Sequence, residues 1–328
     1  MARKKIISTK MKIFMLALFI SSISCFIAGF IVLSNSGFTL SKYFDTSDWF
    51  LGFNSYNENP NFNYSQSLSD IKSLTLDFGN AVSSDENISI NKHSYSTSIE
   101  NYSGDTLNVL GFTNNSNIIT NGEPFIVKKE NNILKITFNK DIFTNNFAVK
   151  FNIQIPQSYA GDLNITNTSG NVNLNNSSFT NLDIKSVNSD IQLDSIKSPK
   201  INLSTTNGNI NTNFLTSNDL LLNTINGDAN INNVSGVVKA TAVNGDIFAS
   251  LANPLSSFIA NTTSGDVDIS INDNKNLSVT YSTVNGDFTS NLANNNLPEH
   301  NENISFSIGD GSSIINVKTV TGDFTIYP

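Results

Sequence analysis

The sequence predicts an all-β fold: a parallel β-solenoid, β-helix-like, with coils of about 19 residues, preceded by a single transmembrane helix. Three observations carry that expectation. The stretch Leu220-Leu-Leu-Asn-Thr-Ile-Asn-Gly-Asp-Ala-Asn-Ile231 recurs without a gap from Leu163, Leu182, Ile201, Val238, Phe258, Val279 and Ile315. Its turn position falls at Gly170, Ser189, Gly208, Gly227, Gly245, Gly265, Gly286 and Gly322, in steps of 19, 19, 19, 18, 20, 21 and 36 residues. Ahead of the repeat, Ile13 to Leu33 is an uncharged apolar run behind a tail carrying Arg3, Lys4, Lys5, Lys10 and Lys12.

In chain order, residues 1–12 form a basic cytoplasmic tail and 13–33 the membrane helix, which spans roughly 31 Å, the thickness of a hydrocarbon core. Basic residues on the N-terminal flank place everything after Leu33 in the extracytoplasmic space. The competing reading is a signal peptide cleaved after Ser34, whose apolar core would be roughly 7–15 residues and so shorter than this one. Cys25 follows Ser22-Ile23-Ser24 rather than a leucine-led lipobox, and reads as a small residue inside the helix. Residues 34–68 are a juxtamembrane linker dense in aromatics, among them Phe44, Trp49, Phe50, Phe53 and Phe62, without helical or strand periodicity. They read either as an interfacial tether centred on Trp49-Phe50 or as a linker that packs rings on the base of the folded domain.

Residues 69–328 form the β ectodomain, an irregular cap over 69–160 followed by regular repeats over 161–328. Leu74, Leu76 and Phe78 alternate with polar residues, as do Val149, Phe151, Ile153 and Ile155 up to Pro156. Phe125-Ile-Val127 and Ile133–Phe138 flank Glu130-Asn-Asn132 as a hairpin. The polar, Asn-rich stretch 92–123 predicts long loops. Within the repeat, positions 1, 3 and 5 share one strand face, and position 5 is small: Ser186, Thr205, Thr224, Ala242, Thr262, Thr283 and Thr319. Position 10 also points inward, as Val172, Ile191, Ile210, Ala229, Ile247, Val267, Phe288 and Phe324. The step from 5 to 10 is odd, so the chain must bend at the Asn-Gly-Asp, Ser-Gly-Asp or Thr-Gly-Asp between them, with glycine expected to supply a positive φ. Each coil is then two β segments, a corner and a return loop, advancing about 4.8 Å per copy. The 36-residue step holds Ile304–Ile308 and Gly309-Asp-Gly311, a hairpin turn that leads into a closing cap or one more coil.

Composition narrows the chemistry. Charged residues are 14% and the net charge is −8, which argues against nucleic acid as a partner. One cysteine and two histidines, His93 and His300, leave zinc sites, thiol catalysis and intrachain disulfides without their raw material. The corner acids Asp190, Asp228, Asp246, Asp266, Asp287 and Asp323 invite a calcium reading, since stacked carboxylates repel. The pattern is not the Gly-Gly-x-Gly-x-Asp nonapeptide of calcium-binding solenoids, and Asn171 and Asn209 interrupt it. We expect no metal and no cofactor. No acid pair stands apart from the repeat with a basic residue beside it, so a polysaccharide-active enzyme is the least favoured reading and no catalytic residue is expected.

The Thr-Val-Asn-Gly-Asp-Ile type of repeat, with the terminal Gly309-Asp-Gly-Ser-Ser-Ile-Ile-Asn-Val-Lys-Thr-Val-Thr-Gly-Asp-Phe324, resembles the bacterial DUF4097 β-strand-repeat proteins, a family of candidate adhesins. The resemblance covers roughly 69–328. It implies an envelope-associated protein, in several relatives part of a cell-envelope stress system, and it carries over no catalytic residues. The role expected is a membrane-anchored interaction or sensing surface whose outward Asn and Thr suit a cell-wall glycan or a membrane protein partner. The alternative is a structural spacer that assembles end to end. A tail of about 12 residues is too short for a signalling domain, so any sensing needs a partner to relay it.

Overall fold

A computed structural model of the chain describes residues 60–79, 94–113, 125–139, 148–271, 276–292 and 303–328, all within one compact unit, Asn57–Pro328. The basic tail, the membrane span with Cys25, most of the linker with Trp49-Phe50, and both histidines lie outside the described residues. All regular structure among the described residues is β. The N-terminal layers are β1 (Phe62–Ser67), β2 (Ser73–Phe78), β3 (Ser94–Tyr102), β4 (Thr106–Thr113), β5 (Phe125–Glu130), β6 (Ile133–Phe138) and β7 (Ala148–Pro156). The regular coils are β8 (Asp162–Ser178), β9 (Leu182–Asn188), β10 (Ile191–Lys197), β11 (Lys200–Asn207), β12 (Ile210–Asn213), β13 (Thr216–Asn226), β14 (Ala229–Asn244), β15 (Ile247–Ser264) and β16 (Val267–Ile271). The C-terminal layers are β17 (Leu277–Ser282), β18 (Phe288–Ser290), β19 (Asn303–Ile308), β20 (Ser313–Thr321) and β21 (Phe324–Tyr327).

These strands build a β-solenoid with two long walls. One wall runs β5-β6-β2-β8-β9-β11-β13-β14-β15-β20-β17-β19. The other runs β1-β4-β7-β3-β8-β10-β12-β14-β15-β16-β21-β18. Interior pairings are parallel; the antiparallel ones, β5–β6, β1–β4, β4–β7 and β17–β19, close the ends. Register keeps each repeat position on its own copy, as in Ile201↔Leu220, Leu220↔Val238 and Val238↔Phe258. A one-residue slip would turn every apolar residue outward, so this register is strongly held.

Positions 1, 5 and 10 are buried in every copy named above, and each large aliphatic side chain so buried contributes about 1.5–3 kcal/mol. Aromatic rings plug both ends of this core. Phe78, Phe125, Phe138 and Phe151 pack at the N-terminal end, with Phe138 and Phe151 centroids 5.1 Å apart. Tyr281, Phe288, Phe306 and Phe324 pack at the other, with Phe288 and Phe324 at 5.4 Å. Between them the filling is mostly aliphatic, Phe179 and Phe258 apart, and includes Ala229, Ala240, Ala242, Ala249 and Ala260.

Four expectations change. The coils between β8 and β15 carry a third short β segment where a return loop was expected: Ile196 pairs with Ser177, and Lys197 pairs with both Ser178 and Thr216. Ile196, Leu215 and Val234 bury there, so the coil is three-sided. The stretch 92–123 is not all loop, because β3 and β4 occupy most of its described part and join the second wall. The turn at Gly309–Gly311 is not a hairpin: β19 and β20 lie on opposite sides of β17, and the turn wraps Asn276, whose Oδ1 accepts from Asp310 N at 3.2 Å. Finally, the last repeat in sequence is not last in the stack. β20 and β21 slot between the coil of β15–β16 and that of β17–β18.

That threading makes a prediction. Deleting residues 313–328 removes the layer on which β17 and β18 sit, so 277–308 should become the first segment cut in limited proteolysis while cleavage within 163–251 stays slow. Mass mapping of the fragments measures this.

Candidate interaction surface

The first corner of the coil, positions 5–9, is where the repeat is most constant, and its geometry explains why. A Cβ on Gly208 would lie 2.1 Å from the carbonyl oxygen of Ser189. Gly227, Gly245 and Gly265 would meet the carbonyls of Gly208, Gly227 and Gly245 at the same 2.1 Å, Gly322 that of Gly265 at 1.9 Å, and Gly286 that of Gly322 at 2.0 Å. The glycines are therefore there for contact between coils. The positive-φ expectation fits Gly170 (φ 115°), Gly227 (φ 159°) and Gly322 (φ 152°) but not Gly208, Gly245, Gly265 or Gly286. Positive φ recurs instead at the second corner, on Asn176, Ser195, Phe214 and Asn233. Ser189 keeps a side chain by burying it, where Asn167 Nδ2 donates to its Oγ at 3.1 Å.

Three hydrogen-bonded columns follow from this contact. Inside, Thr205, Thr224 and Thr262 donate to the carbonyls of Ser189, Gly208 and Gly245 one coil away, at 3.0, 3.1 and 3.2 Å. At the corner, Asn209, Asp228, Asp246 and Asp266 each donate a backbone N–H to the side-chain Oδ1 of Asp190, Asn209, Asp228 and Asp246 at 2.8–2.9 Å. The column continues from Asp266 to Asp323 to Asp287, following the order in space rather than in sequence. Asn209 serves as well as an acid because an amide oxygen accepts equally, and among the described residues no cluster of three His, Cys, Asp or Glu is arranged to hold a metal. Outside, Asn207, Asn226 and Asn244 pass an amide ladder down to Asn188 at 2.7, 2.7 and 2.9 Å.

Beside the Asn ladder runs a feature that the sequence reading missed. Position 6 is Val187, Thr206, Ile225, Val243, Thr263, Val320 and Val284 in spatial order, and Val187, Ile225, Val243, Val320 and Val284 are exposed, Val284 at 70%. The signal was in the alignment of copies, as a β-branched residue on the outward side of the strand. Six coil steps make this a column of about 29 Å. Its own residues are uncharged, and Asn188, Asn207, Asn226, Asn244 and Asn285 stand next to it in the chain, with Ser264 and Thr321 at the other two coils.

A cleft of about 750 Å³ opens elsewhere, beside the N-terminal layers, lined by Leu68, Lys72, Asp105, Tyr159, Asp162 and Thr180. Several polar groups at this cleft are engaged locally. The Tyr159 hydroxyl donates to Asp162 O at 2.7 Å, Thr180 Oγ1 to Ala160 O at 3.1 Å and Asn181 Nδ2 to Asp162 Oδ1 at 2.8 Å. Burial pushes the Tyr159 phenol well above the ordinary tyrosine range, so it stays protonated. On the second wall, burial raises the Asp268 carboxyl; a Thr325 hydrogen bond opposes this, and Asp266 and Asp246 add to it.

A family model described as Toastrack DUF4097 matches residues 85–327. No curated protein matches the chain. Solved structures resemble it, among them the following three. A candidate adhesin from Parabacteroides merdae is 12% identical, covering 83% of this chain and 98% of its own, with a TM-score of 0.39. One from Parabacteroides distasonis is 14% identical, covering 81% and 96%, at 0.36. A candidate cell adhesion protein from Clostridium sporogenes is 8% identical, covering 81% and 98%, at 0.26.

Three outcomes are expected. Gly227→Ala, with its Cβ against a backbone carbonyl, should cost about 1–3 kcal/mol or more in denaturant unfolding. Thr224→Val should cost about 1 kcal/mol by leaving the Gly208 carbonyl without its hydroxyl donor. Asp268 holds its proton to higher pH folded than unfolded, so stability from this site is present at acid pH and is lost as pH rises through the folded value. Asp268→Asn should therefore raise Tm at about pH 7, with the gain vanishing toward about pH 4.

Proposed function

The chain belongs to the Toastrack DUF4097 family, and on that premise we propose a membrane-anchored, extracytoplasmic β-solenoid whose corner ridge binds an extended cell-wall glycan, without catalysis. The observation that carries this reading is the pairing of two columns along one ridge. Exposed Val187, Ile225, Val243, Val320 and Val284 offer aliphatic surface in five of the seven coils, with Thr206 and Thr263 in the other two. Asn188, Asn207, Asn226 and Asn244 offer amides at the same repeat. Each ladder amide still has a hydrogen and an oxygen lone pair to give outward. A sugar chain needs this combination, apolar contact for its C–H faces and neutral donors and acceptors for its hydroxyl and acetamido groups. The coil advance of about 4.8 Å is close to the advance per sugar in an extended β-1,4-linked glycan, so successive units would meet equivalent sites.

The anchor in this proposal is the apolar run 13–33 behind its basic tail, with the ridge presented outside. A ligand bound along several coils gains from repetition: each contact is weak, and the sum is set by how many coils engage.

Purified Asn57–Pro328 should co-sediment with isolated cell-wall sacculi. The double variant Ile225→Lys with Val243→Lys should lose roughly tenfold or more in binding while changing stability by no more than about 0.5 kcal/mol per site. No enrichment on sacculi overturns the glycan reading. Concentration-dependent fibres in sedimentation would favour the spacer instead.

A further inference from the structure

Four of the corners are Asn-Gly sequences within described residues: Asn207-Gly208, Asn226-Gly227, Asn244-Gly245 and Asn285-Gly286. Asn-Gly is the dipeptide most prone to spontaneous deamidation, because an unhindered glycine nitrogen can reach the preceding side-chain amide. All four asparagines are exposed, so exposure does not separate them. Their hydrogen bonding does.

In three of the four, both reacting groups are held. The nucleophile is the glycine N–H, and that of Gly208 donates to Asn226 O at 3.1 Å, that of Gly227 to Asn244 O at 3.2 Å and that of Gly245 to Ser264 O at 3.1 Å. The electrophile is the asparagine amide, and those of Asn207, Asn226 and Asn244 are tied into the ladder through Nδ2. Gly265 and Gly322 continue the nitrogen column, donating to Thr321 O and Asn285 O at 3.1 and 3.0 Å. Gly286 is its last member. Among the described residues no coil follows it, and neither the Gly286 N–H nor the Asn285 side chain has a hydrogen-bond partner.

We propose that Asn285 is a site of selective self-modification, its amide lost by attack of the Gly286 backbone nitrogen, while the three equivalent corners are protected by the stack. The Gly286 nitrogen gives up its proton to solvent and bonds to Asn285 Cγ. The Cγ–Nδ2 bond breaks, and ammonia leaves carrying a proton. Water then opens the cyclic imide at either carbonyl to give aspartate or isoaspartate, so the sum is asparagine plus water to acid plus ammonia. The product adds a negative charge beside Asp287 and Asp323, and the isoaspartyl form also lengthens the backbone where Gly286 is seated on the Gly322 carbonyl.

The test is peptide mapping by mass spectrometry after incubating the purified full-length chain at mildly alkaline pH, with isoaspartate identified by electron-transfer fragmentation. Asn285 should convert at least roughly tenfold faster than Asn207, Asn226 and Asn244, about the factor that one lost hydrogen bond supplies. In the denatured chain the four rates should converge. Equal rates in the folded protein overturn the proposal. So does a faster Asn285 that persists unchanged on denaturation, since local sequence and not the stack would then explain it. The Asn285→Gln variant, which cannot close the five-membered imide readily, should abolish the signal at this position and leave the other three slow.

Discussion

Everything in this fold hangs on one close contact, a glycine Cα resting on the carbonyl of the coil beneath it. With a side chain there, the coils could not approach, and the Asp and Asn oxygens at the corner would not reach the next backbone N–H at 2.8–2.9 Å. The Thr hydroxyls use the same carbonyls from inside. Each of these hydrogen bonds nets only about 0.5–1.5 kcal/mol. Their weight comes from repetition, because in a solenoid stability is a sum of coils and nearest-neighbour interfaces.

Much of this was legible in the sequence, because one period forces one geometry. Positions 1, 3, 5 and 10 announced their burial, and the odd step between 5 and 10 announced the corner. What stayed hidden had physical reasons. The third side of the coil is only two or three residues long, too short for any period, and its buried Ile196, Leu215 and Val234 each stand alone between neighbours that differ from coil to coil. Strands β3 and β4 were concealed because polar residues take inward places: Thr97, Asn101 and Thr113 are buried there. Asn101 uses its amide as a surrogate coil, accepting from Asn175 N at 2.9 Å and donating to Asn175 O and Ser177 Oγ.

The ridge was half legible. The Asn and Thr positions pointed to the outward face, and the corner acids fell into the column expected of them. The reason given for the glycines covers only Gly170, Gly227 and Gly322; close backbone contact is what all the corner glycines share. The aliphatic column at position 6 escaped because an exposed Val or Ile on a strand draws no notice singly. It acquires meaning only when seven copies are seen to fall in line.

The displaced order of the final layers reaches beyond the shape of the stack. Identical ladders make every coil surface an acceptable seat for every other, so sequence position alone does not decide who sits on whom. Residues 277–290 leave the ribosome, or an export pore, before the segment 313–327 that separates them from their predecessor. Until that segment arrives, they have a near-equivalent but wrong neighbour available in β15–β16. Order of synthesis and order in the stack therefore disagree at this end, and correct assembly requires the later segment to take the place between two earlier ones. The solenoid can grow coil by coil from its N-terminal side, yet it is sealed from within.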